Sequence, residues 1–410
     1  MDGTRKGLVG TSEERGSVAE VAGAFLKLGL TSFGGPIAHL GYFRDELVVR
    51  RRWLDEAGYA DLVALCQFLP GPASSKVGFA LGLMRGGPLG AIAAWTAFTL
   101  PSAVLMVAIA YGANAFSGPL GSAVAHGLKL VAVAIVAQAV LGMARSLLPD
   151  RATATVAVVA VGAVVFGGQW GQIAAIALGA VAGLLFQGRS ATSAPLAPSP
   201  SFGVSRGFGV MCAASFFVLL FGLPLLRAVT DAQFVAMADS FYRSGALVFG
   251  GGHVVLPLLQ AETVPLGWVG ADAFLTGYGA AQAMPGPLFT FAAYLGAAMG
   301  PEPNGLVGAA IALIAIFIPG VLVLLAALPF WGAIRTRPHA RAALRGANAA
   351  VVGVLASALY DPVWTSAVLS PRDFLVVAAG FVALVAWRAP PWTAVAGIVI
   401  ATVTLTLLGA

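Results

Sequence analysis

The chain has 410 residues, of which 59% are hydrophobic and 10% are charged, with a net charge of +6 and a mean hydropathy of +0.90. So few charges cannot cover a water-soluble surface, which indicates an integral membrane protein. The positive charge lies mostly in loops, where it indicates membrane orientation rather than nucleic-acid binding. Cys66 and Cys212 form no motif and the chain has four His, so we expect neither a disulfide framework nor a metal site.

Residues 1–17 are polar and lack the apolar stretch of a cleaved signal peptide, so we expect a cytoplasmic N-terminal tail. Apolar runs follow, several of them short, and those of about 18 or more residues are long enough to cross a hydrocarbon core roughly 30 Å thick as helices. The clearest are 89–113, 128–148, 152–166, 173–186, 208–226, 306–330, 347–359, 374–387 and 393–408. The pattern predicts an all-α polytopic membrane protein with about ten to twelve membrane segments.

One stretch occurs twice. Residues 25–36 read Phe-Leu-Lys-Leu-Gly-Leu-Thr-Ser-Phe-Gly-Gly-Pro, and residues 241–252 read Phe-Tyr-Arg-Ser-Gly-Ala-Leu-Val-Phe-Gly-Gly-Gly. Gln67-Phe-Leu-Pro-Gly-Pro72 likewise returns as Gln282-Ala-Met-Pro-Gly-Pro287, and His126-Gly127 returns as Arg345-Gly346, all at offsets of about 215 to 219. The chain is therefore predicted to contain two repeats, 18–187 and 229–410, joined by a Pro/Ser-rich linker at 188–206 and an extra membrane helix at 207–228.

Loop charges indicate how the repeats are oriented. The tail, the loop with Arg44, Arg50, Arg51 and Arg52, and the linker are basic, which favours the cytoplasm. In the second repeat the bias is opposite, because residues 254–270 contain no Lys or Arg, whereas four Arg crowd residues 335–345. We therefore expect inverted repeats.

Discontinuous helices are expected within each repeat. A tail and an Arg-rich loop on the same side require residues 18–40 to enter the membrane and turn back, most simply at Gly34-Gly35-Pro36. Pro70-Gly71-Pro72 removes backbone donors and must break another helix. Inverted repeats with broken helices are typical of secondary transporters; tight helix packing is the alternative role of these Gly and Pro residues.

Several polar residues in apolar sequence are candidates for an anion site. Lys27 and Arg243 precede the repeated glycines, where cations beside helix N-termini suit an anion, although either side chain could snorkel to the interface. Ser74, Ser75 and Lys76 follow the first Pro-Gly-Pro. Gln67 and Gln282 could line the site or bond neighbouring helices. The candidates for proton coupling are His39, Asp61, His253 and Glu262, of which the histidines could equally be interfacial.

Together, residues 25–40, 67–75, 249–259 and 282–287 resemble the chromate transporter family in its long two-domain form. The resemblance implies a carrier of the bacterial inner membrane that exports chromate, uses the proton gradient and confers chromate resistance, with sulfate as a competitor. It carries substrate-binding roles onto the two repeated motifs, at Lys27, Gly34, Gly35, Pro36, Gln67, Pro70, Gly71 and Pro72, and at Arg243, Gly250, Gly251, Gly252, Gln282, Pro285, Gly286 and Pro287. Gly252 replaces Pro36, so the second turn is expected to be looser.

We expect alternating access to a divalent oxyanion bound between the broken helices, with no catalytic residue, metal or cofactor. A sulfate or other oxyanion carrier, and a passive anion channel, are alternatives with the same chemistry. A membrane-embedded chromate reductase would need a redox cofactor, and the sequence has no flavin, nicotinamide or metal motif. The partners expected are the anion and the lipid bilayer, with no nucleic acid and with a homodimer as one assembly to test.

Overall fold

The computed structural model of the protein describes residues 16–112, 118–167, 171–185, 202–249, 252–334 and 337–408, and within them every regular element is a helix. The α-helices are α1 (Val18–Thr31), α2 (Gly35–Phe43), α3 (Glu56–Phe68), α4 (Ala73–Gly112), α5 (Pro119–Leu147), α6 (Arg151–Phe166), α7 (Gly171–Leu185), α8 (Arg206–Val229), α9 (Gln233–Ala246), α10 (Val255–Thr263), α11 (Ala271–Ala283), α12 (Phe291–Ala298), α13 (Gly305–Ala327), α14 (Trp331–Ile334), α15 (Pro338–Ala358), α16 (Thr365–Ala367), α17 (Pro371–Val385) and α18 (Pro391–Leu407). The predicted Gly250 and Gly251, most of the N-terminal tail and most of the linker lie outside the described residues.

The described part of the chain confirms an all-α, multi-pass membrane protein. Five helical stretches in it are long and apolar enough to cross a membrane: Ala73–Gly112, Leu120–Leu147, Arg206–Val229, Gly305–Ala333 and Pro338–Ala367. Four shorter apolar helices accompany them: Arg151–Phe166, Gly171–Leu185, Leu288–Ala298 and Pro391–Leu407. The predicted number of crossings and the predicted domain boundaries stay predictions.

The first repeated stretch forms a helical hairpin. α1 ends at Thr31, and Gly34 and Gly35 turn the chain at φ values of +97° and +76°, which only glycine adopts readily. The chain then runs back along itself, since Phe25 packs edge-to-face on Phe43 with ring centroids 5.5 Å apart. Lys27, ahead of the turn, reaches Glu46, beyond α2. The helix break predicted at Gly34-Gly35 is present.

The second repeated stretch turns back in the same way. α9 ends at Ala246, and a 3₁₀ turn at Gly252–Val254 leads into α10. Arg243 in α9 contacts Glu262 in α10 across this hairpin. Lys27 and Glu46 have the same sequence spacing as Arg243 and Glu262, so the two hairpins carry equivalent ion pairs.

Each Pro-Gly-Pro also interrupts the helical structure, as predicted. α3 ends at Phe68 and α4 begins at Ala73, while α11 ends at Ala283 and a 3₁₀ turn, Leu288–Thr290, leads into α12. Gly71 and Gly286 both have a φ of +94°. This identical backbone conformation at equivalent positions supports the predicted repeat.

The two halves of the chain exchange their last helices. α5 packs against α17 and α18, whereas α15 packs against α6 and α7. Equivalent glycines make these approaches possible: a Cβ on Gly127 would lie 3.0 Å from the Cα of Val399 in α18, and one on Gly346 would lie 2.0 Å from the carbonyl oxygen of Gly179 in α7. The reciprocal contacts are those expected of two repeats related by a two-fold axis.

The inversion of the repeats stays a prediction, and cysteine labelling tests it. Val49 is 55% exposed and Leu266 is 47% exposed, whereas both native cysteines are buried. Val49→Cys should react with an impermeant maleimide only from the cytoplasmic side, and Leu266→Cys only from the other side, in right-side-out and everted vesicles. Labelling of both positions from one side would show that the repeats are parallel.

Candidate functional site

The two hairpins and the two Pro-Gly-Pro breaks meet in the middle of the fold. The Gly71 N–H donates to the Val248 carbonyl at 2.7 Å, and the Gly286 N–H donates to the Ser32 carbonyl at 2.9 Å. Each repeat thus bonds its Pro-Gly-Pro glycine to the other repeat's hairpin turn. We call this region the crossing and define it as residues 32–36, 70–76, 252–254 and 285–290.

Close backbone approach holds the crossing together. A Cβ on Gly252 would lie 3.0 Å from Pro36 Cγ, so the two hairpin turns touch each other directly. A Cβ on Gly71 would lie 3.0 Å from the Gly320 Cα in α13, and one on Gly286 would lie 2.8 Å from Ser102 Oγ in α4. The predicted Gly and Pro residues therefore combine two roles, since they break helices and also permit tight packing.

Helix N-termini converge on the crossing. α2 and α4 begin there, and so do the 3₁₀ turns that lead into α10 and α12. The first N–H groups of a helix have no intrahelical partner and carry a partial positive charge. Carbonyls at the preceding helix ends are already occupied, because Ser32 and Val248 accept from Gly286 and Gly71. The N–H groups at these helix starts are therefore donors that could bind an anion.

Lys76 places the ionisable amino group of its side chain at the crossing. Its side chain is 1% exposed, and Nζ donates to the carbonyls of Leu69 at 2.6 Å and Pro70 at 2.8 Å. No carboxylate among the described residues contacts this ammonium. A buried cation held only by carbonyl dipoles is costly, so an anion bound beside it would be favoured.

Several buried hydroxyl groups in the first repeat have no hydrogen-bond partner in the described structure. Ser75 Oγ lies in the first turn of α4, Ser32 Oγ at the first hairpin turn and Thr99 Oγ1 on α4 near Gly286, and all three are buried without a hydrogen-bond partner in the described structure. Native proteins pair nearly all buried polar atoms, so these hydroxyl groups are candidates to bind a ligand.

Lys27 lies in a charged cluster away from the helix starts. Its Nζ contacts Glu46 at 2.6 Å, and Arg50 and Arg51 contact the same carboxylate at 2.9 Å and 2.8 Å. Burial raises the pKa of the Glu46 carboxyl, but the hydrogen bonds from Lys27, Arg51 and Arg50 outweigh it and lower the pKa to about 2. Three cations on one carboxylate leave an excess of positive charge at this end of the hairpin.

The equivalent cluster around Arg243 is balanced in charge. Arg243 contacts Asp239 at 2.8 Å and Glu262 at 3.0 Å, and Arg227 from α8 contacts Asp239 at 3.1 Å. Ser240 Oγ donates to Glu262 at 2.9 Å. Two cations thus meet two carboxylates. Glu262, a candidate for proton coupling, belongs to this network. Lys27 and Arg243 each form an ion pair that joins the two helical arms of a hairpin.

The Glu46 cluster should make stability depend on acid pH. Because the pKa of Glu46 is lowered on folding, its ionised carboxylate stabilises the folded protein at pH values above 4.5, the ordinary pKa of a glutamate. This contribution is lost as the pH falls toward about 2. We expect Glu46→Gln to lower the free energy of unfolding at pH 7, because it removes the carboxylate that three cations contact. The loss should be only about 1–2 kcal/mol, because Lys27 and Arg50 stay well hydrated. The substitution should also flatten the pH dependence of the thermal midpoint between pH 4.5 and about 2.

Glu56→Gln is the matched control, since Glu56 is 57% exposed and pairs with Arg44 alone among the described contacts. Its thermal midpoint should follow that of the wild-type protein at every pH. An unchanged midpoint and pH dependence in Glu46→Gln would show that the hairpin does not depend on this carboxylate.

The other predicted residues divide between the crossing and its surroundings. His39 is 1% exposed, and its Nδ1 lies 3.3 Å from Ser74 Oγ, while His253 Nδ1 lies 3.0 Å from the Tyr278 hydroxyl. His39 is therefore buried, and His253 is partly buried. Gln67 is exposed, unlike Gln282. Asp61 accepts a hydrogen bond from the Trp331 indole at 3.1 Å.

The sequence analysis did not identify Glu46, Ser32 or Thr99. Glu46 had a usable signal, because it lies 216 positions before Glu262, the offset that also relates Lys27 to Arg243. Ser32 lies within the repeated stretch but has no polar equivalent at Val248. Thr99 comes to the crossing only because α4 folds past Gly286, which no local pattern reveals.

Comparisons with known proteins agree with the repeats. The family model described as chromate transporter matches residues 19–184 and again residues 235–403. The chain is 29% identical over 383 residues to the chromate transport protein of Pseudomonas aeruginosa, covering 91% of this chain and 88% of that protein. It is 28% identical to a probable chromate transport protein of Synechococcus elongatus, covering 84% of each, and 27% identical to the chromate transport protein of Cupriavidus metallidurans, covering 88% of this chain and 84% of that protein.

No solved structure matches the chain. The family model spans both halves of the chain and leaves out only the N-terminus, the region between the repeats and the last residues. Both repeated motifs, and with them the whole crossing, fall inside the matched segments. The chain therefore belongs to the chromate transporter family.

Proposed function

We propose that the protein carries chromate, a divalent tetrahedral oxyanion, across the bacterial inner membrane, and that the anion binds at the crossing. The observation that carries this proposal is Lys76, a cation buried to 1% exposure with only carbonyl partners. A dianion beside it would supply the missing counter-charge. The relatives named for chromate transport support the choice of anion.

The surrounding groups suit four oxygens arranged tetrahedrally. The starts of α2 and α4 and of the turns before α10 and α12 offer backbone N–H groups. Each helix start contributes roughly half a positive charge. Hydroxyls of Ser75, Ser32 and Thr99 add donors from the first repeat. An apolar or cationic solute without acceptor atoms would leave these donors unpaired.

The predicted residues take part in two ways. Pro36, Gly71, Gly252 and Gly286 shape the crossing through backbone contacts, whereas Ser75, Lys76 and Gln282 offer side-chain donors. Lys27 and Arg243 act on the site through the hairpins that they hold. The unequal clusters around these two cations suggest a route for the anion, because the excess positive charge near Arg50 and Arg51 attracts it.

The proposal also includes the transport cycle: the protein exports chromate by alternating access, is driven by the proton gradient and thereby confers chromate resistance. Two hairpins that touch at one site can open it to either side by moving against each other. Sulfate has the same charge and shape, so a sulfate carrier is the second candidate, and the same set of donors favours it. The homodimer stays a prediction.

Chromate flux in proteoliposomes tests the proposal. Vesicles loaded with chromate should lose or gain it against its concentration gradient when a pH gradient is imposed, and excess sulfate should slow this movement by competition without abolishing it. Flux that never exceeds equilibrium would indicate a channel. Movement of sulfate without chromate would replace the substrate, and recovery of the anion as chromium(III) inside the vesicles would indicate a reductase.

A further inference from the structure

Two cross-repeat pairs join the long helices to the other half of the chain. His126 in α5 lies with Nε2 2.7 Å from Asp373 Oδ1 in α17. Arg345 in α15 forms an ion pair with Asp150, which caps α6. Each pair joins the long helix of one repeat to the first turn, or the cap, of a helix from the other repeat.

The basic members of the two pairs occupy equivalent positions in the repeats, and each aspartate lies at the start of a helix. His126-Gly127 and Arg345-Gly346 are aligned by the repeat, and both glycines make close backbone contacts with the other half of the chain. Each aspartate is fixed at the start of its helix, since Asp150 accepts from the Thr153 N–H at 2.9 Å and Asp373 accepts from the Leu369 N–H at 3.0 Å. These bonds favour the ionised form of each carboxyl. The partner of Asp150 is therefore a permanent cation, Arg345, whereas the partner of Asp373 is the titratable imidazole of His126.

This difference matters because the two partners respond differently to pH. Arg345 keeps its charge at every physiological pH, whereas histidine gains or loses a proton near neutrality. The His126 side chain is 25% exposed and lines a cavity of about 560 Å³ with Ser370, Arg372, Asp373, Thr402 and Thr406. A proton can reach the imidazole through this cavity. With Nε2 donating to Asp373, the added proton binds Nδ1.

The charged surroundings of His126 are few. On its own helix, Lys129 is paired with Asp272 of α11 at 2.9 Å. Arg372 and Asp373 lie on α17, and Tyr360 and Asp361 lie on the turn Leu359–Trp364, where Asp361 accepts from Thr365. α16 and α18 contain no ionisable residue, and α15 contains none after Arg345. Asp373 is therefore the carboxylate that responds to the charge of His126.

We propose that His126 is a proton-binding site of the transport cycle. Protonation turns its hydrogen bond to Asp373 into an ion pair that holds α5 against α17, and loss of the proton loosens this contact. The Arg345–Asp150 pair holds α15 against α6 whatever the pH. The inference rests on the proposed carrier function and adds to it the residue that takes up the coupled proton.

Amide exchange in lipid nanodiscs, without chromate, tests the proton site directly. After correction for the intrinsic effect of pH, the first turn of α17 should open about 5-fold more often at pH 8 than at pH 5.5, because a charged hydrogen bond is the stronger one. The first turn of α6 should not change. His126→Arg should abolish the pH effect at α17, and Arg345→His should create one at α6.

Transport supplies the second readout. His126→Arg should flatten the pH profile of chromate uptake, whereas Lys129→Gln, one turn away, should keep the wild-type profile. Equal pH effects at α17 in the wild type and His126→Arg would overturn the proposal, and so would an uptake profile that His126→Arg leaves unchanged. A wild-type protein that moves no chromate would contradict the proposed function instead, and the exchange data would still decide whether His126 binds the proton.

Discussion

Lys76→Gln is expected to abolish chromate uptake while leaving the protein folded in the membrane. The glutamine amide can still donate to the carbonyls at the end of α3, but it cannot supply the positive charge. Loss of one member of a buried charged pair weakens binding by roughly 30-fold or more. Uptake at several chromate concentrations, and equilibrium binding to the purified variant, measure this loss.

Lys129→Gln is the matched control, because it also removes a cation from a membrane helix, but one that is paired with the exposed Asp272. Its chromate affinity should equal that of the wild-type protein. Lys76→Arg should retain measurable binding, since it keeps the charge. If Lys76→Gln bound chromate as tightly as the wild type, the anion site could not lie beside this side chain.

Gly71→Ala and Gly286→Ala should each reduce uptake more than 10-fold, because the two repeats touch through these residues. Both glycines have a φ of +94°, where a Cβ costs roughly 1–2 kcal/mol. The added Cβ of Gly71→Ala would also meet the Gly320 backbone, and that of Gly286→Ala would meet Ser102. The backbone at the crossing would have to move, and the helix starts would move with it.

Gly267→Ala is the control that separates backbone strain at a positive φ from displacement of neighbouring backbone by the added Cβ. Gly267 has a φ of +68° with nothing within 4 Å of an added Cβ, so its alanine variant carries the strain alone. We expect it to lower the thermal midpoint slightly and to leave uptake unchanged. Equal transport by Gly71→Ala, Gly286→Ala and Gly267→Ala would show that the geometry of the crossing is not needed for transport.

The sequence predicted the helix breaks because their causes are local. Gly34-Gly35 and the two Pro-Gly-Pro motifs disrupt helices wherever they occur, and their repetition at one offset made them visible. Lys76 was also found, since a lysine directly after such a break stands out in apolar sequence. What the sequence did not reveal is that it is more deeply buried than Lys27.

The partners of the predicted charges depend on distant parts of the chain. Lys27 and Arg243 were expected to face the anion, but the hairpins bring Glu46 and Glu262 onto them. Asp373 is 247 positions from His126, and Asp150 is 195 positions from Arg345. Such pairs form only because the last helices of each half pack against the other half. The hydrophobic periodicity of a single stretch cannot predict that packing.

The most direct test of the crossing as the oxyanion site is an experimental structure of the protein with chromate, in which anomalous scattering locates the chromium atom. We expect chromium between the two hairpin turns, with chromate oxygens within hydrogen-bond distance of Lys76 Nζ and of the first N–H groups of α4. Chromium found only beside Arg50 and Arg51, with nothing bound at the crossing, would contradict it.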